Sequence, residues 1–262
     1  MSGPPRVALV TGASRGIGQV VASRLAAAGY RVAAAARSAE RVSEVADAIG
    51  GLAVVLDVTD GAAVDAAIAT VERDLGPITL LVNNAGSAGE GGDTWDQSAE
   101  SWWRVFEVNM LGTLLCSRAV MPGMRERGHG RIVNIASNAA FMSLAAGPVE
   151  RIGSAYMASK AAVVRFSEAL ASEARADGIQ VFAISPGTVK SEMTASIFAA
   201  EWDDPAFWTP PEVSADLIEF LDSGALDALS GRYIHASNDD WRALAGQTSD
   251  ILAHDRLSLR VR

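Results

Sequence analysis

The stretch TGASRGIG, residues 11–18, decides the fold of this chain. It follows a short apolar run at 7–10 and opens an amphipathic run over about 16–28. Gly12 permits a tight turn, Gly16 lets main-chain N–H groups approach a phosphate, and Gly18 lets a helix pack closely on the strand. A glycine turn between the first strand and the first helix therefore predicts a pyrophosphate site.

Further along the chain, short apolar runs alternate with longer amphipathic ones. The predicted strands are 7–10, 32–36, 53–56, 80–82, 131–135 and 181–184, with a seventh near 233. The predicted helices are about 16–28, 39–49, 60–74, 100–127 and 155–176. This alternation indicates an α/β protein with one Rossmann-type, doubly wound parallel sheet of about seven strands and helices on both faces. No linker or repeat interrupts it, so we expect a single domain over 1–262.

Composition narrows the class of partner. The 262 residues carry a net charge of −9, which disfavours nucleic acid and anionic membranes. No apolar run reaches the ~18 residues that span a bilayer, and MSGPPR at the start lacks the apolar stretch of a signal peptide. We therefore expect a cytoplasmic protein. The single cysteine, Cys116, is predicted to be a buried inert thiol, and the three histidines show no metal-ligand spacing.

A second motif, SAYMASK at 154–160, places Tyr156 four residues before Lys160. On a helix the two side chains share a face, and an ammonium group beside a phenol lowers the pKa of that phenol. Together with TGASRGIG and with NNAG at 83–86, this pair resembles the short-chain dehydrogenase/reductase family, in its single-domain branch. The resemblance extends over about residues 6–236.

The resemblance implies a catalytic group of Ser137, Tyr156, Lys160 and Asn109. Tyr156 would exchange the proton, Ser137 would position the substrate carbonyl, and Lys160 would bind the nicotinamide ribose. Asn109 lies on the buried stripe of its predicted helix, where an amide needs hydrogen bonds. A purely structural role for Asn109 stays open at this point.

The same resemblance implies a nicotinamide cofactor. The second strand ends in AAAARS, with Ala36 where NAD enzymes carry an acid, and Arg37 follows it. Arg37 and Arg15 together suit a ribose 2′-phosphate, so NADP(H) is expected over NAD(H), although two solvated surface arginines are the alternative. The remaining cofactor contacts implied by the resemblance are Gly12, Ser14, Gly16, Ile17, Gly18, Asp57, Val58, Asn84, Ala85, Gly86, Pro186, Gly187, Val189 and Ser191. Asn83 could equally be structural.

The expected activity is therefore the interconversion of a ketone or aldehyde with an alcohol by hydride transfer. A non-catalytic NADP-binding sensor or scaffold is the alternative, although such proteins usually lose the tyrosine or the lysine. A dehydratase or epimerase is a further alternative, but those relatives mostly carry a separate substrate domain.

Three segments depart from the family pattern. Tyr156 follows Ser137 by 19 positions, which makes the intervening loop unusually long. A substrate lid is predicted at about 191–212, where Trp202, Phe207 and Trp208 could contact substrate, pack the lid down or meet another subunit. An extension at about 238–262 is predicted to form an amphipathic helix that docks on its own body or on a second subunit. We expect a homo-oligomer, a tetramer or a dimer.

Overall fold

The computed structural model describes residues 5–142 and 152–260. Within them lies a seven-stranded sheet in the order β3-β2-β1-β4-β5-β6-β7, in which every neighbouring pair is parallel. The strands are β1 (Val7–Thr11), β2 (Arg31–Ala36), β3 (Leu52–Val55), β4 (Ile78–Asn83), β5 (Gly130–Ile135), β6 (Ile179–Ser185) and β7 (Tyr233–His235). This architecture confirms the predicted fold class. Buried apolar strands of a parallel sheet require helices on both faces.

Helices provide that cover. They are α1 (Gly16–Ala27), α2 (Ala39–Ile49), α3 (Gly61–Asp74), α4 (Ala99–Phe106), α5 (Gly112–Arg127), α6 (Ser154–Ala174), α7 (Glu192–Ala195), α8 (Pro211–Asp222) and α9 (Thr248–Ala253). Side chains of α1, α2 and α8 pack on one face of the sheet, and those of α3, α5 and α6 pack on the other. None of the helices in the described ranges is long and apolar enough to cross a bilayer.

One predicted helix is interrupted in the structure, and one further helix was not predicted. The run at 100–127 is interrupted by a π-helical turn, Glu107–Leu111, between α4 and α5. Helix α8 was not predicted, because the prolines that precede it indicate a loop. In the structure Pro211 is its first residue, where a missing N–H costs nothing and the fixed φ suits the helix.

The C-terminal extension packs on its own body. Trp241, Leu244 and Ile251 are buried in the same apolar cluster as α1, α2 and α8. The predicted continuous helix is instead a 3-10 turn, Leu244–Gln247, followed by the six residues of α9. After α9 the chain passes beside β7, where the N–H of Tyr233 donates to the carbonyl of Leu257 at 2.8 Å.

The strand order also locates the candidate site. β1 lies between β2 and β4; from β1 to β3 the chain runs toward one edge of the sheet, and from β4 to β7 it runs toward the other. In such sheets a crevice opens beyond the carboxyl ends of the strands where the order reverses. The glycine turn follows β1, and Asn84 and Gly86 follow β4, so both predicted motifs meet at this crevice.

Candidate functional site

The glycine turn adopts the backbone that its sequence predicts. Gly12 and Gly16 have φ of +64° and +56°, in the left-handed region that glycine occupies freely. A Cβ on Gly12 would lie 2.8 Å from the Cα of Ala85, and one on Gly18 would lie 2.4 Å from the carbonyl oxygen of Gly12. A Cβ on Gly16 would meet nothing within 4 Å. Gly12 and Gly18 are therefore required for packing, whereas Gly16 faces open space.

Helix α1 begins directly at this open side. Arg15 precedes it in an extended conformation, and no side chain caps the helix. The first main-chain N–H groups of a helix lack carbonyl partners within it, and the helix dipole adds partial positive charge there. The half-buried Ser14 and Ile17 lie on the same turn. The geometry therefore suits an anion such as a pyrophosphate.

Asn84 and Ala85 fasten this turn to β4. The Asn84 side-chain amide donates to the carbonyl oxygens of Thr11 at 2.9 Å and Gly12 at 3.1 Å. The N–H groups of Asn84 and Ala85 both donate to the Thr11 hydroxyl. Both amide hydrogens of Asn84 are thus used within the protein, so its side chain has a structural role.

Asn83 is structural as well. Its buried amide nitrogen donates to Ser117 Oγ at 3.0 Å and to Asn134 Oδ1 at 2.8 Å. Asn134 in turn donates to Ser167 Oγ at 2.8 Å. This buried network links β4 and β5 to α5 and α6. The side chain of Asn83 therefore has the structural role that was left open above.

The basic residues predicted to bind a 2′-phosphate have acidic neighbours in the structure. Arg15 forms an ion pair with Glu192, and Arg41 Nη1 lies 3.4 Å from the other carboxylate oxygen of Glu192. Arg37 is exposed, and its charge acts on Asp57. Arg41 and Glu192 were missed by the sequence reasoning. Only the position of Arg41, three residues after the helix cap Ser38, could have indicated a second cation beside Arg15.

Asp57 is held as a carboxylate. Burial acts to raise its pKa, but hydrogen bonds from the N–H and hydroxyl of Thr59 and the charges of Arg104 and Arg37 outweigh it. The net pKa of Asp57 is lowered. Its neighbour Val58 is buried against Gly112, where an added Cβ would lie 2.5 Å from a Val58 methyl carbon. Both residues follow β3 at the crevice edge.

Ser137, Tyr156 and Lys160 come together at the end of β5. The Tyr156 hydroxyl shares a hydrogen bond with Ser137, whose Oγ also accepts from the N–H of Ala139 at 3.1 Å. Lys160 Nζ lies 5.7 Å from the centre of the Tyr156 ring and donates to the carbonyl of Ile135 at 2.6 Å. Helical spacing places both side chains on one face of α6, as predicted.

The electrostatics of this group correct one expectation. Burial raises the pKa of Tyr156, and the hydrogen bond with Ser137 lowers it only in part. Burial also lowers the pKa of Lys160 to about 8. The expected lowering of the phenol pKa by Lys160 is thus not the net effect, because both groups lose hydration and Lys160 is hydrogen-bonded to a main-chain carbonyl.

Asn109 lies in the π-helical turn and is completely buried. Its Oδ1 accepts from the N–H of Ser87 at 2.8 Å, and its Nδ2 donates to the carbonyl of Ser87 and to Ser159 Oγ, each at 2.9 Å. A Cβ on Gly86 would lie 3.3 Å from Asn109 Oδ1 and 3.7 Å from Lys160 Nζ. The Asn109 side chain therefore joins the segment after β4 to α6, which is the structural alternative considered above.

The loop after β6, which begins at Pro186, is held from two sides. Gly187 has a φ of +82°, and a Cβ there would lie 2.3 Å from Thr209 Oγ1. The N–H of Thr209 donates to the carbonyl of Thr188 at 2.7 Å, and Val189 is buried. Ser191 caps α7 through a reciprocal pair of hydrogen bonds with Thr194. These contacts fix the loop at the mouth of the crevice.

A cavity of about 210 Å³ opens between the segment after β4 and residues 193–197, in the segment predicted to be a lid. Its lining residues are Ala88, Gly89, Glu90, Gly91, Gly92, Ile152, Met193, Ser196 and Ile197. The lid aromatics do not line it. Trp202 and Trp208 pack 5.5 Å apart, and Lys190 Nζ lies 4.3 Å from the centre of the Trp202 ring. In the structure these rings pack on one another within the predicted lid segment.

The start of α6 is fastened to the α4 region. Ser154 Oγ lies 2.7 Å from Thr94 Oγ1 and accepts from Trp102 Nε1 at 3.0 Å. Gly153 before it has a φ of +83°. Half of the long loop predicted between Ser137 and Tyr156, residues 143–151, lies outside the described residues. The contacts of Ser154 hold the first turn of α6, and with it Tyr156, in place.

Comparisons with known proteins agree with this geometry. A family model described as short chain dehydrogenase matches residues 6–202. The chain is 35% identical to the short chain dehydrogenase mpl6 of Monascus purpureus, over 98% of this chain and 88% of that one. It is 42% identical to the acetoacetyl-CoA reductase of Shinella zoogloeoides, over 73% of this chain and 77% of that one. A crystal structure of a single-substitution variant of the actinorhodin polyketide ketoreductase with NADPH superposes with a TM-score of 0.80 at 32% identity, covering 88% of this chain and 95% of that one.

Proposed function

Because this chain belongs to the short-chain dehydrogenase/reductase family of oxidoreductases, we propose that it interconverts a ketone or aldehyde with an alcohol, using NADP(H) and Tyr156 as the acid and base. The observation that carries the proposal is the meeting of Ser137, Tyr156 and Lys160 at the end of β5. This end of the sheet carries the glycine turn as well.

The residues present fit a dinucleotide phosphate. The uncapped start of α1 and the open side of Gly16 would hold the pyrophosphate, with Asp57 and Val58 toward the adenine. Arg15 and Arg37 would favour a 2′-phosphate, and the neighbour solved with NADPH supports this preference. Lys160 and Tyr156 would bind the nicotinamide ribose, and 186–191 would contact the nicotinamide side. When bound, the nicotinamide supplies or accepts the hydride.

The chain itself handles the proton. In reduction the Tyr156 hydroxyl gives its proton to the carbonyl oxygen, and in oxidation the phenolate takes it back. Ser137 has one hydroxyl hydrogen, and with substrate bound it would turn from the Tyr156 oxygen to donate to the same carbonyl oxygen. Burial raises the pKa of the Tyr156 phenol, so the hydroxyl carries the proton that reduction requires.

The substrate class follows from the cavity and the relatives. Met193, Ile197 and Ile152 give the cavity an apolar wall, whereas Glu90 and Ser196 add polar groups. Relatives named as reductases of acetoacetyl-CoA and of a polyketide ketone make a ketone the favoured substrate group. We keep a cytoplasmic location and a homo-oligomer, a dimer or tetramer, as parts of the proposal. Exposed apolar side chains on α4, the π-helical turn and α5 offer surface for self-association: Trp103, Leu111 and Leu114.

The test is turnover of a panel of ketones with NADPH and with NADH. We expect a higher kcat/KM with NADPH, and in Tyr156→Phe a loss of about 10²–10⁴-fold in kcat with NADPH affinity nearly unchanged, because only the proton donor is removed. Tyr30→Phe, which removes a phenol hydroxyl bonded to Asp222 far from the site, is the matched control and should retain kcat. Near-native kcat in Tyr156→Phe would refute the acid–base role, and a preference for NADH would refute the cofactor assignment.

A further inference from the structure

One carboxylate in the structure holds two arginines from distant parts of the chain. Glu192, the first residue of α7, contacts Arg15 through Oε2 and Arg41 through Oε1. In sequence, Arg15 lies 177 positions and Arg41 lies 151 positions from Glu192. Two guanidinium groups therefore converge on a space the size of one small anion.

The position of this pair points to the phosphates of a nucleotide. Arg15 belongs to the glycine turn after β1, and Arg41 lies in the first turn of α2, just after β2. These two strand ends flank the place where the proposed function puts the adenosine ribose. The side chains of Arg15 and Arg41 are 56% and 51% exposed, so both can reach an external ligand.

Arg15 and Arg41 can exchange the Glu192 carboxylate for an anion that binds them more strongly. Ion pairs between exposed side chains contribute little stability, and all three side chains here are more than half exposed. A phosphate monoester carries up to two negative charges and accepts bidentate hydrogen bonds from arginine. A phosphate in this place would therefore outcompete the Glu192 carboxylate for both guanidinium groups.

We propose that Arg41, together with Arg15, binds the 2′-phosphate of the cofactor, and that Glu192 occupies these arginines until the phosphate displaces it. The proposal rests on the preference for NADP(H) stated above. It adds a binding residue, Arg41, and a competing carboxylate, Glu192. Because Glu192 begins α7, displacing it removes the contact that ties the start of the lid to Arg15 and Arg41, and within the adenosine half of the cofactor this change depends on the 2′-phosphate.

Binding of two small nucleotides tests the assignment without turnover. Calorimetry compares 2′,5′-ADP, which carries the 2′-phosphate, with 5′-AMP, which lacks it. Glu192→Gln is expected to tighten 2′,5′-ADP about three- to fivefold and 5′-AMP much less, since an exposed competing pair is lost. Arg41→Gln is expected to weaken 2′,5′-ADP about tenfold and to leave 5′-AMP unchanged. Glu212→Gln, an exposed change on α8, is the control and should alter neither.

Hydrogen exchange of the amides at 192–198 provides the second readout. In the unmodified protein 2′,5′-ADP should speed exchange there and 5′-AMP should not, whereas Glu192→Gln should exchange quickly without ligand. Equal effects of Glu192→Gln on both nucleotides, or full 2′,5′-ADP affinity in Arg41→Gln, would overturn the inference. If the NADP(H) preference itself is wrong, the unmodified protein and Glu192→Gln will both bind 2′,5′-ADP no more tightly than 5′-AMP. If only this inference is wrong, 2′,5′-ADP will stay the tighter ligand and the substitutions will leave its affinity unchanged.

Discussion

At the scale of single residues, Ser137 partly offsets the effect of burial on the pKa of Tyr156. Burial raises the pKa of the Tyr156 phenol, and the hydrogen bond with Ser137 is the one contribution that lowers it. A phenolate loses more than a phenol when such a bond is removed, because the charged oxygen is the stronger acceptor. Ser137 therefore has an electrostatic role besides positioning substrate.

Replacing Ser137 with Ala should raise the pKa of Tyr156 further. Alcohol oxidation needs the phenolate, so its kcat/KM should reach half of its maximum at a higher pH than in the unmodified protein. The measurement is the pH profile of kcat/KM for oxidation, with Ser43→Ala on the exposed face of α2 as the control. A profile that falls in height but keeps its midpoint would show that Ser137 only positions the substrate.

At the scale of elements, the π-helical turn explains why the helix predicted over about 100–127 forms two helices, α4 and α5. An extra residue in the turn places Asn109 where it bonds the main chain of Ser87 on one side and Ser159 of α6 on the other. π-Helical turns cost helical geometry and are frequent at functional sites. Here the turn links the segment after β4 to the helix that carries Tyr156 and Lys160.

Asn109→Ala is expected to lower the free energy of unfolding by about 3 kcal/mol. The change leaves the N–H and carbonyl of Ser87 without their partner, and an unpaired buried polar group costs about 1–3 kcal/mol. Urea unfolding measures the loss. Asn138→Ala, at an exposed asparagine, is the matched control and should change stability by less than about 0.5 kcal/mol. A loss below about 1 kcal/mol in Asn109→Ala would contradict the structural role.

At the scale of the whole molecule, the C-terminal extension completes one face of the core. The Trp241 ring lies 5.0 Å from that of Phe220, and its Nε1 donates to the carbonyl of Ala236 at 3.0 Å. Leu244 and Ile251 fill the same cluster. The extension therefore stabilises its own chain. That it also strengthens an oligomer stays a prediction with a test of its own.

A chain ending at Asp239 is expected to unfold at a lower urea concentration and to form a smaller oligomer. The truncation exposes the apolar surface that Trp241, Leu244 and Ile251 cover, and it removes any subunit contacts of the extension. Urea unfolding measures the first effect and solution scattering the second. An unchanged subunit number would rule out the oligomer role while leaving the packing role intact.

Two leucines of the extension, one buried and one exposed, distinguish the loss of core packing from the loss of any apolar side chain. Leu244→Ala, at a buried position, should cost about 2–5 kcal/mol, as buried leucine truncations do. Leu252→Ala, at a side chain that is 45% exposed, should cost less than about 0.5 kcal/mol. Equal losses at the two positions would contradict the observed packing of the extension.

The sequence by itself determined the sheet, the glycine turn and the shared face of Tyr156 and Lys160. Each of these depends on local rules. Short apolar runs form buried strands, glycine allows the positive φ of Gly12 and Gly16, and helical spacing places residues four apart on one side. Helix α8 was missed because a proline fits either a loop or the first turn of a helix. The π-helical turn was missed because a continuous apolar stripe fits an uninterrupted helix as well.

Only the tertiary structure decided which distant groups meet. It paired Glu192 with Arg15 and Arg41, used Asn84 and Asn109 for internal hydrogen bonds, and turned the lid aromatics toward one another. It also decided the proton affinities, since burial raises the pKa of Tyr156 and lowers that of Lys160. The physical reason is that periodicity predicts which face of an element is buried, whereas side-chain partners and lost hydration depend on what packs against that face.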